Sequence, residues 1–280
     1  MSTDHQQGRV ALGARLRELR TEADLSGRAL AGQLGWVQSK VSKLETGRQT
    51  PSPADLDAWA SATGSPGAAV ELRARLRGLE TQYRSWNRQL SGGHRERQEA
   101  AVLETRRTQV VRAFESARIP GLLQTADYAR HMLAAGCEFI GSPRDTEDAV
   151  RTRIRRQEAL YDAGRRFHFL VWEAALYVTI GPPEVMAAQL DRLVGLLGLD
   201  TVDLGIIPLG SAPRRTPAHG FWIYDERLVI VETINAELWL DSPADIALYR
   251  KAWDWLAESA VTGHQAHRLI GRAGASLTPR

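Results

Sequence analysis

The first part of the chain repeats apolar positions with the spacing of α-helices. Leucines recur at helical intervals over residues 12–19 and predict a first amphipathic helix that also carries arginines. Ser26 is placed to cap a second helix. Two further helices are predicted over residues 38–45 and 54–63, and the pattern closes near Pro66. Four short helices joined by tight turns predict an all-α bundle.

A different pattern begins behind this bundle. Residues 67–95 hold apolar positions at near-helical spacing and end in a Ser-Gly-Gly break, so they predict either a linker helix or a dimerisation helix. Over residues 96–280, amphipathic stretches alternate with short apolar runs such as VDLGIIPLG, GFWIYD and RLVIVET. A last long helix is expected over residues 244–260. The predicted fold is an all-α domain over residues 1–66, then a larger mixed α/β domain.

Composition excludes several kinds of stabilisation. Cys137 is the only cysteine, and no group of Cys and His has zinc-finger spacing, so we expect neither a disulfide nor a structural metal.

The N-terminus is polar and lacks the apolar core of a signal peptide. The most apolar stretch, Phe169 to Ile180, is short and contains Glu173. We therefore expect a soluble, cytoplasmic protein without a membrane partner.

The net charge of +3 is unevenly distributed along the chain. Residues 1–90 hold 13 basic and 9 acidic side chains, a balance of 13 − 9 = +4. Residues 91–168 hold 14 and 11 (+3), and residues 169–280 hold 9 and 13 (−4). An excess of this size is weak evidence for a nucleic-acid partner, but it assigns any binding of a polyanion to the front of the chain.

Three residues of the second and third helices have the spacing of a helix-turn-helix. Two helices that cross closely need a small residue at the contact, and Ala31 is such a residue. The tight turn between them favours a glycine, here Gly35. The second helix needs a β-branched core residue, here Val41. Residues 10–66 resemble the phage repressor and Cro family of helix-turn-helix domains, also called the xenobiotic-response-element family. The segment VSKLETGRQTPS matches the usual closing sequence of that family.

The resemblance implies that the helix from Gln38 is a recognition helix in the major groove of double-stranded DNA. A Gln amide can pair with adenine and a Lys can donate to guanine, while residues at the flanks suit phosphate. The expected DNA-binding residues are Gln38, Ser39 and Lys40 for base edges, Ser42 and Lys43 on the same flank, and Arg48, Ser26 and Arg28 for phosphate.

Gly27 departs from the family, since many members have Gln there, so a phosphate contact is expected to be missing. The alternative is a helical bundle whose Gln, Ser and Lys side chains are ordinary solvated surface.

The rear of the chain has a resemblance of its own. The segments IPGLLQTADYAR, VWEAALYVTIGPPEVMAAQLDRL, DLGIIPLG, GFWIYD and VIVETINAELWL together resemble the DUF5753 family of filamentous actinobacteria over residues 96–271. That resemblance implies a regulator of development or secondary metabolism, often encoded beside a very small partner protein and described as antitoxin-like. It implies no catalytic residue.

Enzymatic signatures are not found in the sequence. It has no phosphate loop, no dinucleotide-binding glycine pattern and no nucleophile elbow, so we expect no catalytic residue and no cofactor. His264 and His267 lie beyond the expected end of the last helix and lack a nearby third ligand, so we expect no metal there.

A ligand pocket in the rear domain is a further hypothesis. Aromatic and acidic residues concentrate on the predicted strands, and the candidate ligand-binding residues are Trp172, Glu173, Tyr177, Trp222, Tyr224, Glu232 and Trp239. The alternative is that the aromatic rings pack the sheet against its helices. The arginine-rich segment 151–156 is interpreted as a solvated helix face rather than a nucleic-acid surface, because acidic residues lie nearby.

Two functions follow from these observations as hypotheses. The first is a sequence-specific transcriptional regulator whose rear domain mediates dimerisation and senses a partner or ligand. A homodimer is expected because one recognition helix covers only a half-site, and half-sites lie about 34–36 Å apart. The second is an antitoxin-like module that holds a small partner protein and binds DNA for autoregulation.

Overall fold

The computed structural model describes residues 4–277. The chain forms two compact units, Met1–Tyr83 and Arg84–Arg280. The segment 67–95, assigned from the sequence to a linker or dimerisation helix, is therefore divided between the two units. Each unit has its own apolar core.

From Asp4 to Gln82, the regular elements of the first unit that the structure describes are all helices. Its helices are α1 (Asp4–Glu22), α2 (Gly27–Leu34), α3 (Gln38–Glu45), α4 (Pro53–Ala62) and α5 (Ala68–Gln82). The predicted caps are present: the amide of Ala29 donates to the Ser26 hydroxyl at 3.1 Å, and Gly35 ends α2 at φ 66°. The N-terminal all-α prediction is confirmed.

The core of the first unit is centred on Trp59, whose side chain is fully buried. Its indole N–H donates to the carbonyl oxygen of Leu16 at 3.0 Å, so the ring joins α4 to α1. The leucines of α1 and the inward residues Val41 and Leu44 of α3 complete this core. Gly13 lets α1 and α3 approach closely, because a Cβ there would lie 2.5 Å from the Glu45 carbonyl oxygen.

Helix α5 packs on the same unit. Its residues Ala69, Leu72 and Leu76 are buried in the core that α1 and α4 form. Leu72 and Leu76 of the segment predicted to form a linker or dimer contact are thus covered within the first unit, whereas Val70 is 66% exposed. An apolar side chain gains the same hydrophobic stabilisation whether it is buried within its own unit or against a second chain. The sequence pattern alone therefore does not distinguish these two kinds of burial.

The second unit is a mixed α/β domain, as predicted. Its strands are β1 (Tyr83–Ser85, at the unit boundary), β2 (Val110–Glu115), β3 (Arg166–Trp172), β4 (Val202–Ile207), β5 (Phe221–Tyr224), β6 (Leu228–Glu232) and β7 (Ala236–Leu240). Its helices are α6 (Trp86–Gln89), α7 (His94–Arg106), α8 (Ala126–Ile140), α9 (Thr146–Arg156), α10 (Pro183–Leu196), α11 (Pro243–Ala257) and α12 (Gly263–Ala275).

One seven-stranded sheet organises this unit, in the order β1-β7-β6-β5-β2-β3-β4. β2, β3 and β4 are parallel, whereas β2, β5, β6 and β7 pair antiparallel. Successive residues face opposite sides, so Trp222 and Tyr224 join one core while Phe221 and Ile223 join the other. The first core includes residues of α10 and α12, and the second includes residues of α11.

Two elements of the second unit differ from what the sequence pattern predicts. The sequence pattern of residues 146–163 predicts a single helix, but the α-helix ends at Arg156 and the chain continues as a 3-10 helix, Gln157–Tyr161. Helix α12 was not predicted, although its residues Leu269 and Ile270 are buried. Within residues 4–277, no helix has the length and apolar character needed to cross a bilayer.

The close approach of α1 and α3 predicts the effect of a single methyl group. Gly13→Ala should destabilise the first unit by about 1–3 kcal/mol, because the Cβ would overlap the backbone of α3. Gly32→Ala in α2 is the matched control: nothing lies within 4 Å of its Cβ, and removal of a helical glycine should stabilise by up to about 1 kcal/mol. Hydrogen-exchange protection of the amides of α1 and α3 measures both. Equal protection in the two variants would contradict the close approach.

Candidate functional site

The helix-turn-helix is formed by α2 and α3. Ala31 and Val41 are 3% and 2% exposed, so both lie at the helix contact as their spacing predicts. Gly35 takes a left-handed conformation at the turn, and its amide donates to the carbonyl oxygen of Gly32. Leu30 and Leu44 fill the space beneath the two helices. The outer face of α3 is consequently held at a fixed angle to α2.

Four of the predicted DNA-binding residues lie together on the outer flank of α3. Gln38, Ser39, Ser42 and Lys43 are all exposed, and the structure gives none of them a side-chain partner. Val41, between them in sequence, points into the core. Helical periodicity therefore separates one buried row from a row of four polar side chains. We call these four residues the α3 polar row.

Lys40 differs from the α3 polar row. Its Nζ lies 2.6 Å from an oxygen of Asp55 and 3.8 Å from the centre of the Trp36 ring. Asp55 also accepts from the amide of Ser52 in the capping box of α4. The ammonium of Lys40 thus joins α3 to the start of α4, and Lys40 is less exposed than the residues of the α3 polar row.

The predicted phosphate-binding residues are exposed at both ends of the motif. Arg28 lies in the first turn of α2, and Arg48 follows α3, where its amide donates to the carbonyl oxygen of Lys43 at 2.9 Å. Ser26 is exposed, but its hydroxyl oxygen already accepts from Ala29 as the α2 cap. Ser26 therefore has a structural task besides any contact with an anion.

A buried ion pair, which sequence reasoning missed, holds α3 in place. The Nε and Nη2 atoms of Arg20 lie 2.5 and 3.1 Å from the two carboxylate oxygens of Glu45, and Nη1 donates to the carbonyl oxygen of Leu25 at 2.6 Å. Both side chains are mostly buried. The hydrogen bond with Glu45 raises the pKa of Arg20 above its ordinary value, so the guanidinium stays charged. This bidentate pair fixes the C-terminal end of α3 against α1.

The predicted ligand-binding residues do not form one group. Trp222, Tyr224 and Glu232 line a cavity of about 1000 Å³ in the second unit. Two others lie elsewhere: the partly buried Trp172 packs against the core on the other face of the sheet, and Trp239 packs against the first core. Glu173 is buried and accepts from the amide of Leu209 at 2.8 Å, and Tyr177 is 38% exposed.

The cavity also has arginines that the sequence analysis did not select. Arg97 of α7, Arg118, and Arg153 and Arg156 of α9 all line it. The interpretation of residues 151–156 as a solvated helix face is therefore wrong for half of its arginines. Arg151 and Arg155 are exposed, but the guanidinium of Arg156 lies 5.1 Å from the centre of the Trp222 ring, and Arg156 is 8% exposed. The period of α9 places residues 153 and 156 on its inner face.

Glutamates compensate two of these arginines. Arg118 pairs with Glu232 and with Glu115, the latter at 3.2 Å. Arg97 donates from Nε to Glu237 at 2.6 Å and lies 3.7 Å from Glu232. Glu232 and Glu237 stand opposite each other across β6 and β7. Burial alone would raise the pKa of Glu232, but Arg118 and Arg97 outweigh it and lower that pKa to about 2.

The two histidines near the C-terminus lie within α12, with their ring centres 6.5 Å apart. Among residues 4–277, no group of three or more His, Cys, Asp or Glu side chains is arranged to hold a metal ion.

The Lys40–Asp55 pair predicts a pH dependence. Burial alone would raise the pKa of Asp55, but hydrogen bonds from Lys40 and Ser52 lower it overall. A carboxylate with a lowered folded-state pKa stabilises above its unfolded-state pKa and loses that contribution as the pH falls through the folded-state value. Asp55→Asn should therefore lower the protection of α4 amides from hydrogen exchange at pH 7, and the difference from wild type should vanish in acid.

Asp57→Asn is the control for this prediction, since Asp57 lies on the same helix and pairs with Arg73 at 3.2 Å with both side chains about half exposed. An exposed pair of this kind contributes little, about 0–1 kcal/mol. Equal effects of the two substitutions would show that the Lys40–Asp55 pair adds nothing specific.

Comparison with known proteins finds one family model that matches the front of the chain and one that matches the rear. A helix-turn-helix domain model matches residues 11–76, which supports DNA binding. No curated protein matches the chain. Among solved structures, that of TrmBL2, an archaeal chromatin protein described as showing a novel mode of DNA binding, is similar with 13% identity and a TM-score of 0.34. The match covers 61% of this chain and 51% of that one, about half its length, and is too weak to bear on the fold.

The second unit gives the clearer match. The model of a domain of unknown function, DUF5753, matches residues 98–272, which is more than half of the chain. The chain therefore belongs to the DUF5753 family and has a helix-turn-helix domain in front of its DUF5753 domain.

Proposed function

We propose that this protein is a sequence-specific DNA-binding transcriptional regulator whose DUF5753 domain mediates dimerisation and senses a small molecule or partner. The observation that supports DNA binding best is the α3 polar row. These four side chains are exposed and unpaired, while the buried face of the same helix is fixed by the core and by Arg20 and Glu45. A rigid helix with an unoccupied polar face suits insertion into the major groove.

The side chains suggest separate tasks. Gln38, at the start of α3, can form a bidentate contact with adenine, and Ser39 can donate or accept at a neighbouring base edge. Phosphates can be neutralised by Lys43, which lies more than one helical turn after Gln38, and by the exposed Arg28 and Arg48. The excess of +4 over residues 1–90 agrees with an anionic partner.

Lys40 is assigned a positioning task in this proposal. To reach a base it would have to leave Asp55 and the face of the Trp36 ring. Both contacts would be lost in exchange for one contact with DNA. We infer that Lys40 instead fixes the angle between α3 and α4.

Dimerisation is proposed because a single recognition helix reads only a half-site. The cytoplasm is the proposed location, since the function requires access to DNA. No catalytic step or cofactor forms part of the proposal. The antitoxin-like alternative, in which the DUF5753 domain holds a small partner protein, stays a prediction from the family resemblance.

The recognition-helix assignment is tested with DNA fragments selected from a random pool by the wild-type protein. Gln38→Ala should lose about 1–3 kcal/mol of discrimination at one base pair, because one bidentate contact is removed. Lys43→Ala should weaken binding to all fragments alike and reduce the salt dependence, by about one unit of slope in log K against log salt. Mobility-shift titrations at several salt concentrations measure both quantities.

The matched control is Gln33→Ala, which removes the same side chain from an exposed position of α2 rather than α3. We expect its binding and sequence preference to equal those of wild type. If Gln38→Ala also kept the wild-type preference, α3 would not be the helix that reads the DNA.

Gly27 predicts a gain of affinity. A Cβ at this position would lie 3.7 Å from Val41 Cγ1, an ordinary contact, so a longer side chain fits at the start of α2. Gly27→Gln supplies the amide that many helix-turn-helix relatives have there, and should tighten DNA binding through one added phosphate contact.

Gly27→Ala separates this gain from a helix effect, since both substitutions remove a helical glycine and should stabilise by at most about 1 kcal/mol. Only the Gln variant should bind DNA more tightly in the same mobility-shift titration. Equal affinity of the Gln and Ala variants would place this position away from the phosphate backbone.

A further inference from the structure

The cavity of the second unit has an uneven charge distribution. Four arginines line it, and the glutamates described above pair with only two of them, Arg97 and Arg118. Within the part of the chain that the structure describes, neither Arg153 nor Arg156 forms a salt bridge with a carboxylate. Arg156 instead donates to the hydroxyls of Thr105 and Tyr224, at 2.7 and 3.2 Å.

Arg153 has only neutral acceptors. Its Nε donates to the Gln98 amide oxygen at 3.0 Å, and its Nη1 donates to the Gln124 amide oxygen at 2.6 Å. Its Nη2 makes no hydrogen bond with the described residues. Burial lowers the pKa of Arg153 to about 9; Glu232 opposes this change, and the neighbouring arginines add to it. The two glutamines orient a buried positive charge that has no directly paired carboxylate among the described residues, which is costly unless an anion joins it.

A second polar group in the cavity wall has no partner. His94 is 9% exposed, and its Nε2 atom is buried without a hydrogen bond in the described structure. Helix α8 holds the ring in place, because Gly136 lies so close that a Cβ there would be 3.3 Å from Cε1. Burial lowers the pKa of His94; Asp145 opposes this, and Arg153 and Arg97 add to it. The neutral ring can donate one hydrogen bond to a bound group.

Much of the remaining lining is apolar. Met132, Leu133 and Ile140 of α8 face the space, together with Ile180 and the Trp222 ring. The volume of about 1000 Å³ is at the upper end of the range of about 300–1000 Å³ typical of small-molecule pockets. A single inorganic ion would leave most of this apolar wall without a contact.

From these contacts we propose that the cavity binds an organic acid with an apolar body, its anionic head held by Arg153 beside His94 and its body against the α8 side of the cavity. A guanidinium with a free nitrogen suits a carboxylate or a phosphate equally, and the shared chemistry is an acidic oxyanion. This inference deepens the sensing part of the proposed function and rests on that part alone.

Calorimetric titration of the full-length protein tests the ligand class. The probes are decanoate, decyl phosphate and decanol, each below the concentration at which it forms micelles. We expect at least one acid to bind, and the tighter acid identifies the head as carboxylate or phosphate. Decanol, which has the same body without the charge, should bind on the order of tenfold more weakly or worse. Failure of both acids to bind, or equal binding of decanol, would overturn the proposal.

Arg153→Gln tests the anionic head. We expect it to weaken binding of the tighter acid on the order of tenfold to a hundredfold. Without ligand, its unfolding temperature should equal or exceed that of wild type, since a buried charge without an acidic partner is removed. Arg155→Gln, an exposed position on the same helix, should bind like wild type. A merely structural Arg153 would give the opposite result, a lower unfolding temperature with unchanged acid affinity.

His94→Phe provides an independent variant. Its ring retains an apolar contact with α8 but lacks Nε2, so acid binding should weaken several-fold while decanol binding stays unchanged. Wild-type affinity for the acid in both the Arg153 and His94 variants would contradict the site.

DNA binding by the ligand-free protein, measured in parallel by mobility shift, separates this inference from the proposed function. If the ligand-free protein did not bind DNA, the proposal of a transcriptional regulator would be contradicted, and the calorimetric result would still stand. A protein that binds DNA and neither acid would contradict the ligand site alone.

Discussion

Arginine and glutamate pairs removed from water organise both units of this protein. Desolvation of a charge costs several kcal/mol, and the cost is recovered only when geometry and hydrogen bonds are good. Arg20 meets Glu45 with two parallel hydrogen bonds and so fixes α3 against α1. In the second unit, Arg97 and Arg118 connect α7 and the segment after β2 to glutamates of β6 and β7. Helix orientation in the first unit and cavity shape in the second both depend on such pairs.

The same constraint separates structural charges from those free to bind a partner. Lys40 is held by Asp55 and the Trp36 ring, whereas Lys43, three positions along the same helix, is exposed. In the cavity, Arg97 has two glutamates beside it, whereas Arg153 has two glutamines. Residue type does not reveal this difference. It becomes visible only from which group lies opposite each cation.

The helix-turn-helix could be predicted because its information is local. Ser26 caps α2 within four residues, Gly35 ends it, and the spacing from Ala31 to Val41 spans a single turn between two helices. The assignment of α5 could not be made in the same way. An apolar helical face shows that the helix is covered, but not whether its own unit or another chain covers it.

Most residues that line the cavity could not be predicted from the sequence. Its aromatic residues on β5 were selected for their concentration on a strand, but Arg97, Arg118 and Arg153 belong to three segments far apart in the chain. No sequence pattern relates Glu232 to Glu237, whereas the register of β6 with β7 places them opposite each other. The inner position of Arg153 and Arg156 follows from the packing of α9 on α7 and α8. Their charges were therefore interpreted from neighbours in sequence rather than in space.

By itself, the sequence determined the helices of the first unit, the exposed flank of α3 and the alternation of helices and strands behind it. Periodicity, capping and turn preference act over a few residues, so the order of residues suffices. Tertiary structure decided which cations have partners, where α5 packs, and that four arginines meet around one cavity. Those outcomes depend on distances between segments remote in the chain, which packing of the whole unit sets.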